Sequence, residues 1–287
     1  MTREAPIHRR VRWAGGDFAG PVEVEVVPRR ALPIIRLHGI SLHALTEREC
    51  VQHIVDELSG GHGGWVVTHN LDHLRRLRAD AAFAALCEGA TVRVADGMPL
   101  IWACALQGTP LPERVAGSNL ISSLSEAAAT HHRSVFLLGG EPGTAEAAAD
   151  VLERRHPDLR IAGTSCPSPG FEHRAGELDQ ITHELCTSRP DIVFVAFGSP
   201  KQEQFIARCR HCLPRAWWLG VGISFSFLCG SVKRAPVWIQ DIGLEWAHRL
   251  AQEPRRLARR YLVDGVPFAF RLLASSALRR RHIGAGQ

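Results

Sequence analysis

Several polar side chains close apolar runs at positions where they could do chemistry. Asp96 ends TVRVADG beside a glycine, Thr68 and Asn70 end GWVVTHN, and Lys201 and Gln202 follow DIVFVAFGSP. A carboxylate at such a point can act as a general base toward an attacking hydroxyl. The threonine, asparagine and glutamine side chains can hydrogen-bond sugar hydroxyls or phosphate oxygens, and Lys201 can add charge. Each has a plainer alternative. Asp96 and Asn70 equally suit N-caps of the helices beginning MPLIW and LDHL. Gln202 and Glu203 equally suit the first turn of a helix.

Gly139, Gly140 and Gly143 in GGEPG lie between a strand and a helix, where backbone amides can approach a phosphate. The spacing is not that of the dinucleotide fingerprint, and no acidic residue ends the next strand, LRIAGT, to grip a ribose. A dehydrogenase is therefore disfavoured. Cys209 and Cys212 form a CxxC just before Pro214. A redox pair belongs at a helix N-terminus, and a zinc site would want a second pair, so packed thiols are the better reading. The chain has no Asp-x-Asp pair to carry a divalent metal on a diphosphate. The sequence points to no metal and no cofactor, and any diphosphate charge falls to arginine.

These residues need elements to hold them. Short apolar segments alternate with helical periodicity from PIIRLHGISL, read as one strand, to AWWLGVGISFSFL, read as strand and loop. Thr46 and Glu49 make a capping box. LDHLRRLRADAAFAALCEG reads as a single helix. Strands apolar on both faces, alternating with helices, predict an α/β fold: a Rossmann-like, mostly parallel sheet with helices on both faces. In such a sheet ligands sit beyond the carboxyl ends of the strands, which would gather the polar ends named above into one crevice. The organisation expected is a variable N-terminal extension over 1–32, a Rossmann-like domain over 33–230 and a basic helical C-terminal appendage over 231–287.

The charge is concentrated in that appendage. Lys233 to Arg281 carry eleven Lys/Arg against four Asp/Glu, a balance of +7, while the whole chain is +5. The remainder is thus −2, and the appendage is where an anionic partner would bind. Trp246, Leu250, Leu257 and Tyr261 form an apolar stripe among Arg249, Arg255, Arg256, Arg259 and Arg260, with Pro254 starting a new helix. Such a stripe either covers the sheet domain or lies in an anionic membrane interface; the accumulated charge favours the interface. No apolar run approaches the ~20 residues of a membrane span, and the basic N-terminus lacks a signal-peptide core. The eight scattered cysteines suit a reducing compartment.

VTHNLDHL, VADGMPLIWA, RVAGSNL, VFLLGGEPGTAEAA, DIVFVAFGSPKQE and GSVKRAPVWIQDIGLEWAHRLAQEPRR, in this order, resemble the WecG/TagA/CpsF glycosyltransferases (family 26) over about residues 34–265. The resemblance implies a metal-independent, inverting transferase. It would move N-acetylmannosamine, its uronic acid or glucose from a UDP-sugar to a polyprenyl-diphosphate-linked acceptor, in bacterial surface or exopolysaccharide synthesis. The site would be cytoplasmic, peripheral on the inner face of the plasma membrane. The spelling is similar to the xanthan-type glucosyltransferase branch. By the same resemblance Asp96 matches the proposed base, and Thr68, Asn70, Arg114 and Gln202 match pocket residues. Arg249, Arg256 and Arg259 match arginines of an appendage that closes over the site. Ser226 stands where the family often has an aspartate that helps to hold the nucleotide. A homo-oligomer is compatible with all of this. The alternative class is a non-catalytic nucleotide-binding protein with a basic tail for membrane surface or nucleic acid. Against nucleic acid, no aromatic residues interleave with the basic ones as a stacking platform.

Overall fold

The computed structural model describes residues 7–11, 22–26 and 31–284. The chain divides into a unit Met1–Pro33 and a unit Ile34–Gln287. In the first, β1 (Ile7–Val11) pairs antiparallel with β2 (Val22–Val26). The strict alternation VEVEV accounts for a strand where composition suggests only a loose extension. The rest of that extension up to residue 30 lies outside the described residues.

The second unit opens with β3 (Ile34–Leu37) and β4 (Ile40–His43), an antiparallel hairpin rather than one strand. His38 and Gly39 between them have φ of 49° and 89°, the two left-handed residues of a tight hairpin turn. Helix α1 (Glu47–Ser59) carries the capping box: the Glu49 amide donates to Thr46 Oγ1 at 3.1 Å, and the Thr46 amide to Glu49 Oε2 at 2.8 Å.

The body of the unit is a six-stranded sheet. Its strands are β5 (Gly64–His69), β6 (Val92–Ala95), β7 (Ser134–Gly139), β8 (Arg160–Ser165), β9 (Ile192–Ala196) and β10 (Trp217–Gly220), in the order β6-β5-β10-β9-β7-β8. Every neighbouring pair is parallel, so all six carboxyl ends lie along one edge. Every residue of β7 and β9 is buried, as expected of strands covered on both faces.

Helices α2 (Leu71–Ala79), α3 (Ala81–Glu88), α4 (Met98–Gln107), α5 (Gly117–Thr130), α6 (Thr144–Arg155), α7 (Ala175–Ser188), α8 (Lys201–Cys209) and α9 (Ser224–Leu228) make the connections. The single helix predicted over 71–89 is two. Asp80 leaves helical geometry (φ −132°, ψ 102°), and its carboxylate caps α3 by accepting from the Phe83 amide at 3.0 Å. The stretch after Gly222, predicted as loop, is α9.

The C-terminal segment runs through α10 (Val237–Asp241), α11 (Glu245–Gln252), α12 (Pro254–Ala258), a π-helical turn (Arg259–Gly265) and α13 (Val266–Gly284). Pro254 sits at the first position of α12, where its missing N–H costs nothing. The π-helical turn fuses these segments into one helix, Pro254–Arg280, of 27 residues. By length and composition that helix is sufficient to cross a bilayer, unlike the shorter apolar runs read from the sequence. Only 11% of its most apolar stretch is buried within the protein. Leu272 and Ser276 are fully buried, and Leu272 joins Leu37, Leu42, Leu74, Leu100 and Cys104 in one core cluster. The last strand of the sheet ends at Gly220, and α13 packs beside α4 within the same compact unit as the sheet.

Candidate active site

The candidate residues follow the carboxyl ends of four strands, β5, β6, β7 and β9. On β5, Thr68 is buried and Asn70 follows as the N-cap of α2, its Oδ1 accepting from the His73 amide at 3.0 Å. The cap alternative for Asn70 is thus realised at one atom, and its amide nitrogen is not used by the cap. On β6, Asp96 is locked by its own amide, which donates to the His69 carbonyl at 2.6 Å. It does not cap α4: the N-cap is Gly97, with φ 119° and no side-chain bond to the helix. The Asp96 carboxyl instead accepts from the Gly117 amide at the start of α5. A Cβ on Gly97 would lie 4.0 Å from Asn70 Cβ, and one on Gly117 would lie 3.3 Å from Thr68 Oγ1. The structure thus brings Asp96, Thr68 and Asn70 together.

The Asp96 carboxyl keeps 26% of its side-chain surface open. Burial of the remainder pushes its pKa up to about 6, against the opposing pull of Arg114, of Arg234 and of the Gly117 amide that donates to it; Glu245 adds to the rise. Arg114 stands 3.9 Å from Asp96 Oδ1 and forms its closer pair, 3.1 Å, with Glu245. Its other terminal nitrogen reaches Gln240 Oε1 at 3.4 Å. The Val115 amide, donating to the Ala95 carbonyl at 2.9 Å, fixes the loop that carries Arg114 against the end of β6.

Gln202, at the start of α8, is committed internally. It is buried, its Nε2 donates to Glu203 Oε1 at 2.8 Å, and its Oε1 accepts from the Gly222 amide at 3.1 Å. It therefore shapes the loop after β10, where the sequence suggests a direct ligand. The Lys201 ammonium is likewise engaged, 2.6 Å from Glu172 and 4.6 Å from the Phe171 ring centre; its charge is neutralised there.

Gly139 and Gly140 end β7 with φ of 94° and 87°. A Cβ would lie 2.6 Å from the Phe197 ring at the first and 2.4 Å from Thr144 Oγ1 at the second, so only glycine fits this turn. Four strand spacings separate β6 from β7, ~19 Å at ~4.8 Å each. The glycine turn and Asp96 thus stand far apart on one long edge, with β8 beyond the glycine turn. Ser226 is buried on α9, where its carbonyl accepts from the Val232 amide at 3.1 Å.

The three arginines matched in the appendage are placed differently from one another. The guanidinium of Arg249 lies 5.8 Å over Phe227, whose ring also carries Arg234 at 5.9 Å, and Arg249 Nε is buried without a hydrogen-bond partner. Arg256 pairs with Glu253. Arg259 is exposed on the π-helical turn.

Sequence reasoning missed Arg234, Gln240, Glu245 and Asn119. Arg234 Nη2 donates to Asn119 Oδ1 at 2.7 Å, and its Nε pairs with Glu245 at 3.3 Å. Arg260, read from sequence only as part of the basic stripe, reaches Asp72 beside the Asn70 cap at 3.2 Å. No local spacing signals such pairs; Glu245 is 131 residues from Arg114. His69, His73 and Glu203 are buried nearby, and burial holds both imidazoles in the neutral form.

Among the described residues no group of three or more His, Cys, Asp or Glu side chains is placed to hold a metal ion. Cys209 and Cys212 are free thiols, and burial pushes the Cys212 thiol up to about 12, the state of a packed rather than a reactive thiol.

A family model described as Glycosyl transferase WecG/TagA/CpsF family matches residues 35–282. The chain is 32% identical over 197 residues to an N-acetylglucosaminyldiphosphoundecaprenol N-acetyl-beta-D-mannosaminyltransferase of Bacillus spizizenii, a match covering 69% of this chain and 74% of that protein. It is also 32% identical over 164 residues to a Bacillus subtilis protein of the same name, covering 57% of this chain and 62% of that one.

Proposed function

We propose that this chain, which belongs to the WecG/TagA/CpsF family of glycosyltransferases, is an inverting hexosyltransferase using a UDP-sugar and a polyprenyl-diphosphate-linked acceptor. The observation that carries the reading is Asp96: a partly open carboxyl with a raised pKa, beside Thr68 and Asn70 and within 3.9 Å of Arg114. Its pKa of about 6 leaves it ionised at neutral pH yet basic enough to take a proton. Asp96 removes the proton of the acceptor hydroxyl, and that oxygen forms a bond to the anomeric carbon. The bond from that carbon to the diphosphate oxygen breaks on the opposite face, and UDP carries away the electron pair. The relatives' printed name specifies a beta-linked product; from an alpha-linked nucleotide donor that outcome requires inversion.

The donor lies along the sheet edge, its sugar at Asp96 and its nucleotide toward Gly139 and Gly140. Arginines of the appendage, Arg249 first, take the diphosphate charge that other transferases give to a metal. Asn70 and Thr68 hold sugar hydroxyls. Gln202 acts indirectly by holding the Gly222 loop. Of the donors, N-acetylmannosamine is put first by the relatives' printed name; its uronic acid and glucose are the others.

The enzyme works in the cytoplasm, peripheral on the inner face of the plasma membrane, where a polyprenyl acceptor resides. Trp102 and Leu106 on α4, and Leu262, Val263, Val266 and Phe270 on the terminal helix, are exposed apolar side chains suited to that surface.

The test is UDP release from the three UDP-sugars with a polyprenyl-diphosphate-linked acceptor analogue. Release with one of them is expected; no release above background with any would end the proposal. A companion variant is Gly220→Ala. Its new methyl would stand 2.5 Å from Gln202 Nε2 and displace that amide from the Gly222 loop. kcat/KM is expected to fall by roughly 10–100-fold, the usual cost of misplacing a binding loop by about an ångström. A change under twofold would remove Gln202 from loop positioning.

A further inference from the structure

A tail with a surplus of +7 would be expected to present only cations to Asp96, yet it sends a carboxylate. Glu245, on the first turn of α11, lies between two guanidinium groups: Oε2 is 3.1 Å from Arg114 and Oε1 is 3.3 Å from Arg234. Its side chain is only 19% exposed. Arg114 is thereby held at hydrogen-bond distance by Glu245 and by Gln240 (3.4 Å), but stands 3.9 Å from Asp96, beyond hydrogen-bond reach. Arg234 is anchored in turn by Asn119 at 2.7 Å.

We propose that Glu245 is a positioning residue that diverts Arg114 from a closed ion pair with Asp96, and so keeps that carboxylate available as the base. A carboxylate gripped by a guanidinium fork has its lone pairs engaged and its ionised form stabilised, which makes it a poor proton acceptor. Here the fork is turned on Glu245 instead. The charged and polar groups facing Asp96 are Arg114 from the loop after α4, Arg234 and Glu245 from the tail, and the Gly117 amide of α5. His69 on the adjacent strand end is neutral, and Asn70 carries no charge. Glu245 is the one anion among these, and its negative charge acts with burial to raise Asp96. The inference rests on the proposed role of Asp96 as base.

The experiment measures kcat/KM against pH with the UDP-sugar and acceptor analogue for three proteins. Wild type is expected to show an acid limb near pH 6. In Glu245→Gln the anion is gone while hydrogen bonding to arginine remains. Arg114 can then close on Asp96, and the acid limb is expected to move down by about one pH unit. The rate on the plateau is expected to fall roughly tenfold, as Brønsted behaviour requires of a weaker base. Arg234→Met removes a cation facing Asp96 and is expected to move the limb upward. Opposite shifts support the inference. Unmoved limbs in both variants, or shifts in the same direction, overturn it. Should Glu245→Gln fail to fold, the Arg234→Met profile decides alone, and an unmoved limb there is the overturning result. A wild type inactive with every donor would instead defeat the proposed function itself.

Discussion

Asp96→Asn is expected to lower turnover by ~10²–10⁴-fold, the usual worth of general-base help, while leaving the protein folded and more stable at neutral pH. The two effects have one cause. The folded protein raises the Asp96 pKa to about 6, whereas an unfolded chain leaves an aspartate near its ordinary value of about 4. Between those values the folded state holds the proton more tightly, so stability declines as pH rises through the window of about 4 to 6. Above it the buried charge is a standing cost, on the order of 2 kcal/mol for a shift of about two units at a partly open site. Asparagine keeps the shape and removes the cost. Turnover with a soluble acceptor analogue measures the first effect; melting temperature at pH 5 and pH 7.5 measures the second. The variant's advantage should shrink at the lower pH. Near-normal turnover would remove Asp96 from the chemistry, and a loss of stability at pH 7.5 would make the carboxylate a structural one.

A triple variant, Leu262→Ser with Val263→Ser and Phe270→Ser, is expected to lose most of its co-sedimentation with vesicles containing phosphatidylglycerol. These side chains are 49%, 65% and 75% exposed. Val266, Phe270 and Leu278 recur along one side of α13, opposite the buried Leu272 and Ser276. Serine therefore removes exposed apolar surface without opening the core. A large apolar side chain is worth ~1.5–3 kcal/mol on full burial. Even half of that from three positions weakens partitioning by on the order of 10²-fold. Arg259, Arg271, Arg279 and Arg280 flank the stripe, so residual binding should fall with salt. Activity on a soluble acceptor should persist. Unchanged sedimentation would show that the stripe does not meet lipid. Deleting 231–287 would be a poorer experiment. It takes Arg234, Gln240 and Glu245 from around Arg114 and Leu272 from the core.

Much of this molecule follows from rules that reach only three or four residues. Thr46 and Glu49 announce the start of α1, Pro254 announces α12, and unbroken apolar runs announce the buried β7 and β9. From alternating strands and helices the parallel sheet follows, and from the sheet the shared edge on which Asp96, Thr68 and Asn70 meet. Local rules failed where two signals were equally local. Asp80 reads as a helix residue until its carboxylate is seen capping α3, and PIIRLHGISL reads as one strand until His38 is seen at φ 49°.

Residue order was enough to decide the fold class, the position of Asp96 at a strand end and the basic character of the tail, because periodicity, capping and charge are properties of neighbouring residues. Only the folded chain decided how those pieces are used. It turned Gln202 inward onto Gly222, spent Lys201 on Glu172, and brought Glu245 to Arg114 across 131 residues of separation. Such partnerships depend on which strand lies beside which and on where the tail seats. Both are set by the burial of apolar surface over the whole unit, and that sum cannot be read from the spacing within any one segment.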